Sequence, residues 1–219
     1  MTRTADPATE HDLKQAIAAE RRDAAAMLEA LPSGQWDAAT LCGGWRVREV
    51  VAHQTMPFRY PARKFALEMV KAGGRFNHMA DRVARRDAAS MSPAELTAAL
   101  RDNADHPWAP PGGGLHGALS HDVIHGLDIT VALGAGRPVL RLVPEDRLAL
   151  VLGQLTGMRR NPFGTDLAGI ALRADDTGWT FGSGTPLSGS AQDLLLVFCG
   201  RKLPPGRLRG EPARRFTRV

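Results

Sequence analysis

The chain has 219 residues, 43% of them hydrophobic and 23% charged, which is enough length and apolar content for a folded core. No stretch approaches the roughly 18 consecutive apolar residues of a membrane span, and the polar beginning of the sequence lacks the pattern of a secretory signal. The two cysteines, Cys42 and Cys199, are isolated and form no CxxC pair. We therefore expect a cytoplasmic protein that does not interact with membranes.

The net charge of +5 is concentrated at the C-terminal end of the chain. Residues 201–219, here called the basic tail, hold seven Arg or Lys and one Glu, a net charge of +6, so that residues 1–200 carry −1. A nearly neutral body does not indicate a folded basic face for nucleic acid. We expect the basic tail to be solvated or to clamp an acidic ligand.

Apolar residues recur at three- and four-residue steps through most of the first 160 residues, which predicts helices. Pro57 is expected to end the second of them, and Ser92-Pro93-Ala94-Glu95 has the pattern of a capped helix start. The predicted helices cover residues 9–31, 46–57, 61–72, 76–88, 92–104, 115–133 and 144–157.

The pattern changes after Pro162, where short apolar runs separated by glycines predict strands. The predicted strands are 170–174, 179–181 and 185–187, and an apolar helix is predicted at 191–199. The fold class is therefore mainly α with a small α/β unit. We place a helical domain at residues 1–160 and the α/β unit, with its basic tail, at residues 161–219.

His121 and His125 lie four residues apart in the predicted helix 115–133, so that one face presents both rings. Neutral imidazole is a good ligand for zinc and its neighbours among the transition metals. His53, at the edge of the apolar stripe of helix 46–57, is the candidate third ligand. Asp128, one turn beyond His125, would orient that ring or simply face solvent. The alternative is that the pair are ordinary surface histidines and His53 is a buried structural one.

The residues that precede His53 resemble a known family. The matching positions are Trp36, Thr40, Cys42, Gly44, Trp45, Val47, Arg48, Val50, Val51 and His53. This pattern resembles the DinB-like metal-binding bundles and, more closely, the mycothiol-dependent maleylpyruvate isomerase family. The segment from His121 to Asp128 resembles the later ligand pair of that family, although close relatives of the isomerase have Glu where this chain has His121.

The C-terminal part resembles the sterol-carrier-like domain of the same family. The matching positions are Asp175, Gly178, Trp179, Gly182, Gly184, Gly189, Ser190, Ala191, Asp193, Leu194, Gly200 and Arg201. The resemblance implies a DinB-like four-helix bundle followed by a short sterol-carrier-like α/β domain. It also implies one divalent metal, most simply zinc, held by His53, His121 and His125.

The resemblance further implies a mycothiol-like thiol as co-substrate and a small, acidic, electrophilic substrate that is isomerised or receives the thiol. Three neutral imidazoles leave the charge of a metal uncompensated, so that a nearby thiol ionises near neutral pH and becomes nucleophilic. An acidic substrate needs a cationic partner, and we expect the C-terminal unit to fold over the open side of the metal site. Arg201 is the candidate catalytic residue for that contact, with Arg46, Arg59, Arg75 and Arg82 as alternatives.

Two other classes of function stay open on the sequence. An HD-type phosphohydrolase also uses a His-Asp pair, here His121-Asp122, but its late Asp would be Asp175 in the predicted β region. A non-catalytic module that binds a metal or carries a ligand is the other class. The pattern indicates no particular oligomeric state.

Overall fold

The computed structural model describes residues 9–134 and 142–218. Within these ranges the chain forms eight α-helices, a three-stranded sheet and two short 3-10 helices at Ser33–Asp37 and Glu211–Phe216. The α-helices are α1 (Glu10–Glu29), α2 (Val47–Arg59), α3 (Ala62–Lys71), α4 (Phe76–Ser90), α5 (Pro93–Arg101), α6 (Gly114–Leu133), α7 (Glu145–Thr156) and α8 (Ala191–Phe198). No helix in the described ranges is long and apolar enough to cross a membrane. The predicted class, mainly α with a small α/β part, is confirmed.

The helix starts follow the capping signals of the sequence. Ser92 Oγ accepts a hydrogen bond from the backbone N–H of Glu95, and the Glu95 carboxylate accepts one from the N–H of Ser92, so that α5 begins with the predicted capping box. Thr9 and Asp12 make the same reciprocal pair at the start of α1. Each pair satisfies two backbone groups that a helix end would otherwise leave unpaired.

The expected end of α2 at Pro57 is wrong. The helix continues to Arg59 with Pro57 inside its last turn, where proline removes one backbone hydrogen bond, the one to the carbonyl of His53. Arg59 donates from Nη2 to the carbonyl oxygen of Ala52, 2.8 Å away, and so ties its own side chain back along the helix. The two extra residues lead to Tyr60, whose buried side chain donates a hydrogen bond to Asp87.

The helices α1, α2, α5 and α6 form the centre of the bundle. The helix α2 packs against α4, α5 and α6, while α1 packs against α5 and α6. The side chains that join α1, α2, α4 and α5 are fully or almost fully buried, and they are Ala24, Ala25, Leu28, Val47, Val50, Val51, Ala88, Leu96 and Leu100. Ile129 of α6 packs into the same cluster, so that α2 is held against α6, which is the placement that the site depends on.

The small sheet has the strand order β2-β1-β3, with β1 (Ile170–Ala174), β2 (Thr180–Gly182) and β3 (Thr185–Gly189). The central strand β1 pairs antiparallel with β2 and parallel with β3. The chain passes around the start of β1 between these neighbours, and a Cβ added at Gly184 would lie 2.1 Å from the carbonyl oxygen of Gly169. Glycine is therefore required at that turn.

One apolar cluster runs through both parts of the chain. It includes Leu119 and Leu127 of α6, Leu172 of the sheet and Leu194 of α8, all at most 1% exposed. The helix α8 contacts α6, α7 and the sheet, so that the α/β unit shares its core with the bundle. The division at residue 160 stays a prediction about sequence domains.

The expectation of a solvated basic tail is wrong for the described residues 201–218. Leu203 and Phe216 are buried, and Leu203 donates its backbone N–H to the carbonyl of Phe216 at 2.7 Å. Five of the six tail arginines have polar partners elsewhere in the chain, which are Asp128 for Arg201, Asp193 for Arg207, Asp175 for Arg209, Asp166 for Arg215 and the Thr40 carbonyl for Arg218. The positive charge of the sequence is thus used to hold the C-terminal segment in place.

Candidate metal centre

Three histidine side chains meet between α2 and α6. His53 comes from the middle of α2, and His121 and His125 come from successive turns of α6. Their ring centroids lie 4.8 to 5.2 Å apart, and one nitrogen from each lies within 4.8 Å of the others. The structure thus brings together the three residues predicted from the sequence, which are called the histidine cluster below.

The Nδ1 side of the His121 ring is held by the buried carboxylate of Asp122. Its Nδ1 donates to Asp122 Oδ1 at 2.9 Å, and Asp122 Oδ2 accepts from Arg21 Nε at 2.7 Å. The Arg21 side chain is fully buried, and its Nη1 also donates to the carbonyl of His106 at 2.8 Å. We call this chain of contacts the Arg21 relay.

His125 is held in the same manner by residues from two parts of the chain. Its Nδ1 donates to Asp128 Oδ2 at 3.1 Å, so that Asp128 has the orienting position that the helical spacing suggested. Asp128 is fully buried and receives two further bonds, from Arg201 Nε at 2.8 Å and Arg201 Nη2 at 2.9 Å. These contacts form the Arg201 relay.

The expected contact of Arg201 with a substrate carboxylate has to be corrected. Both ends of its guanidinium bind Asp128, and Nη1 donates to the carbonyl of Cys199 at 3.3 Å. Arg201 therefore lies beside the histidine cluster but behind His125. Its position fits the orientation of a ligand and does not fit direct contact with a substrate.

His53 has no such carboxylate. Its Nδ1 is buried without a hydrogen-bond partner in the described structure, and its ring lies 5.0 Å from the ring of Trp45. Its Nε2 faces Nε2 of His121 at 3.3 Å. The third ring of the cluster is thus positioned by packing rather than by charge.

The electrostatics of the cluster favour neutral imidazoles at His53 and His125. Burial, together with repulsion from His125 and His121, holds the pKa of His53 well below its usual value. Burial also lowers the pKa of His125, and the hydrogen bond to Asp128 opposes this shift only in part. Because the carboxylates accept hydrogen bonds from the Nδ1–H groups of His121 and His125, each of these rings keeps its Nε2 lone pair available.

The spacing of two of the three rings is compatible with binding to one metal ion. Zinc–nitrogen bonds of about 2.0–2.1 Å at a tetrahedral angle separate two ligand nitrogens by about 3.3 Å. The Nε2 atoms of His53 and His121 are 3.3 Å apart. Three imidazole nitrogens with carboxylates behind two of the rings are one of the ligand sets that zinc uses in proteins.

A cavity of about 830 Å³ opens over the histidine cluster. Its walls come from α2, α3, α4, α6 and the loops at 42–45 and 108–111, and within the described chain Phe163 is the one lining residue beyond position 160. The C-terminal unit therefore contributes much less to the described lining than expected. The aromatic and other large apolar lining residues are Trp45, Met56, Pro57, Tyr60, Phe65, Phe76, Trp108, Pro110, Pro111 and Phe163.

The alternative arginines named from the sequence lie outside this cavity in the described structure. Arg46 pairs with Asp37 and Glu49, Arg59 with Asp87, and Arg82 with Glu68. Arg75 is exposed and lines a neighbouring cavity of about 530 Å³, together with Lys71 and Arg82. The two cavities share Asn77 and Asp81.

Cys42 lies nearer to the site than the sequence suggested. Its sulfur belongs to a second group of close ligand atoms with His125 and Asp128, and Cys42 lines the cavity. The hydrogen bond from the Leu41 N–H to the Asp128 carbonyl brings this loop to α6. Burial and the nearby charge of Asp128 raise the pKa of the Cys42 thiol to about 11, so that it stays protonated at neutral pH.

The residues of an HD-type site are not assembled in the described structure. Asp122 is turned toward Arg21 and the back of His121, and it belongs to no group of close metal-ligating atoms. Asp175 follows β1 and pairs with Arg209. The late Asp of such a site is therefore not at the histidine cluster.

Comparison with known proteins finds one matching family model and two solved structures of low similarity. Residues 17–107 match the family model described as "Mycothiol maleylpyruvate isomerase N-terminal domain". Two solved structures are similar, the mycothiol-dependent maleylpyruvate isomerase and a histidine-to-alanine mutant of it, each at 14% identity, 94% coverage of both chains and a TM-score of 0.49. A comparison with curated proteins found no match.

The matched region contains α2 and His53, and it ends before His121 and His125. It also contains Arg21, the buried cation of the Arg21 relay. The resemblance seen around His53 is thereby confirmed. Residues 17–107 of this chain are thus similar to the mycothiol maleylpyruvate isomerase N-terminal domain.

Proposed function

We propose that this protein is an enzyme that uses a low-molecular-weight thiol, such as mycothiol, to isomerise a small electrophile or to transfer the thiol to it. A divalent metal, zinc being the best fit, would be held by His53, His121 and His125. When bound, such a metal supplies positive charge that makes a thiol ionise near neutral pH. The observation that carries the proposal is the histidine cluster at the floor of a large cavity.

The protein's own residues would act by positioning and by excluding water. Asp122 and Asp128 fix the two rings of α6, and Arg21 and Arg201 hold these carboxylates in place. Trp45 and Trp108 pack against His53 and His121, with ring centroids 5.0 and 5.2 Å apart. These aromatic walls limit water near a thiolate, which raises its reactivity toward carbon.

The proposed reaction conserves atoms and electrons. The thiolate sulfur forms a bond to the β-carbon of an electron-poor double bond, and the π pair moves onto the activating carbonyl as an enolate. Rotation about the resulting single bond and loss of the same thiolate gives the geometric isomer. If a proton instead reaches the α-carbon, the thioether is the product and the reaction is a transfer.

The experiment is a titration of the cobalt-substituted protein with mycothiol, followed by a rate measurement. We expect the cobalt spectrum to change on addition of the thiol, and turnover of an activated cis double bond to require it. The His53→Ala variant should show neither effect. The variant His11→Ala, which removes an exposed histidine of α1, should behave as wild type.

The proposal would be contradicted by a cobalt spectrum that does not change when the thiol is added, or by a turnover rate that is the same without the thiol. A spectral change with no turnover of any electrophile would favour the non-catalytic module instead. An isosteric alcohol in place of the thiol serves as the ligand control, because it cannot form a thiolate.

A further inference from the structure

The cavity that neighbours the one over the histidine cluster is rich in positive charge. This second cavity has a volume of about 530 Å³, and its lining includes Lys71, Arg75 and Arg82. The larger cavity has no lysine or arginine among its described lining residues. Asn77 and Asp81 line both cavities and form their shared rim. A ligand that extends from the histidine cluster across this rim therefore meets cationic side chains.

The shared rim lies close to the histidine cluster. The ring of His53 is 5.0 Å from the ring of Trp45, and Trp45 Nε1 donates to Asp81 Oδ1 at 2.8 Å. The second cavity therefore begins one indole and one carboxylate away from His53. Arg85 Nε donates to both oxygens of Asp81, at 2.9 and 3.1 Å. Because this arginine offsets the charge of the carboxylate, the rim does not strongly repel an anion.

The cations of the second cavity outnumber the acids that pair with them. Lys71 Nζ lies 3.1 Å from Glu68 Oε1, and Arg82 Nη2 lies 2.6 Å from Glu68 Oε2. Arg86 also reaches Glu68, at 3.3 Å, so that three cations share this carboxylate. The exposed side chain of Arg75 has no hydrogen bond or ion pair with any residue that the structure describes. Arg75 is therefore the cation whose charge is available to a ligand.

A substrate with an anionic group at each end needs two separate cationic partners. The metal proposed on the histidine cluster would supply one of them, at the floor of the larger cavity. The arginines behind the cluster are already paired, Arg201 with Asp128 and Arg21 with Asp122. Because a carboxylate buried without a partner is strongly unfavourable, the far end of such a substrate is stabilised where it reaches the second cavity.

From these observations we infer that Arg75 binds the carboxylate at the far end of the substrate and so selects an elongated diacid. This inference rests on the proposed function for the reaction at the histidine cluster. A guanidinium group binds a carboxylate through two parallel hydrogen bonds, a geometry that an ammonium group does not offer. Lys71 and Arg82 add to the positive potential around it. Arg75 thereby takes the substrate contact that the sequence suggested for Arg201.

The test is calorimetric titration of the zinc-loaded protein, without thiol, with pimelate and its monomethyl ester. The two probes share one chain and differ by one negative charge. We expect wild type to bind pimelate about tenfold more tightly than the ester, and Arg75→Gln to lose this preference. Arg75→Lys should recover part of it, and Arg63→Gln, at an exposed arginine that lines neither cavity, should retain it fully. Equal binding of the two probes by wild type, or an unchanged preference in Arg75→Gln, would overturn the inference.

Thiol-dependent turnover of maleylpyruvate by the same variants separates this inference from the proposed function. We expect Arg75→Gln to raise KM by about tenfold and to leave kcat within about twofold of wild type, because Arg75 binds the end of the substrate remote from the reacting carbon. Selective binding of pimelate that depends on Arg75, without any thiol-dependent reaction, would contradict the proposed function and support the anion subsite. An active enzyme in which Arg75→Gln has the KM of wild type would overturn the inference and leave the proposed function intact.

Discussion

The Arg21 relay and the Arg201 relay hold neighbouring histidines in the same way but draw on different parts of the chain. In both, imidazole Nδ1 donates to a buried carboxylate that is ion-paired with an arginine. Arg21 belongs to α1 and is fully buried inside the bundle, whereas Arg201 follows α8 and keeps 20% of its side chain exposed. The bundle therefore orients His121 by itself, and the C-terminal unit is needed to orient His125.

This difference gives the C-terminal unit a specific role. Its hydrophobic residues extend the core of α6, and Arg201 reaches the back of the metal site. Its contribution to the cavity wall is small by comparison. We expect the two relays to respond differently to substitution, one mainly in stability and the other mainly in metal affinity.

The largest effect is expected from Arg21→Met. The change removes the cation from the buried Asp122 and a donor from the carbonyl of His106, so that the free energy of unfolding should fall by about 3–5 kcal/mol. Urea unfolding followed by circular dichroism measures it. Arg22→Met is the matched control, because Arg22 makes an exposed ion pair and should change stability by less than about 1 kcal/mol. Equal effects in the two variants would contradict the structural role of the Arg21 relay.

A smaller effect on folding, with a clear effect on metal binding, is expected from Arg201→Met. Loss of a residue that orients a ligand weakens metal affinity by about 10–100-fold. Competition with a chromophoric chelator measures the zinc dissociation constant. Arg215→Met, which breaks an exposed pair with Asp166 in the same segment, should leave the constant unchanged. Unaltered zinc affinity in Arg201→Met would show that the relay does not tune the site.

The smallest expected effect is a pH dependence of the metal-free protein. The folded-state pKa values of His53 and His125 are lowered by burial, so that the unfolded chain binds more protons below its histidine pKa of about 6.5. The free energy of unfolding therefore has its full value above about pH 6.5. It decreases as the pH falls toward the lowered pKa values of the two histidines in the folded protein. Urea unfolding at a series of pH values should show a shallower slope for His53→Met than for wild type or His11→Ala. Identical slopes in all three proteins would contradict neutral burial of His53.

The sequence was sufficient for the features that depend on local pattern. Periodic apolar residues placed the helices, the Ser92 and Glu95 pair marked a helix start, and the spacing of His121 and His125 put both rings on one face. The position of Asp128 one turn beyond His125 also followed from helical geometry. His53 could be proposed as a partner because it borders the apolar stripe of its own helix.

The remaining features depend on contacts between distant residues. Arg21 precedes Asp122 by 101 positions, and no local signal connects them. Arg201 was expected to face the substrate because the pairing of Arg201 with Asp128, 73 positions earlier, exists only in the folded chain. Pro57 was expected to end its helix, but a proline in the last turn costs only one hydrogen bond.

The most direct test of the account is the metal content of the purified protein. Elemental analysis should find about one divalent metal per chain, because three histidines define a single site. His53→Ala, His121→Ala and His125→Ala should each lose most of it, while His11→Ala, on the exposed face of α1, should keep it. Full metal content in all three cluster variants would contradict the central claim that these residues hold the metal.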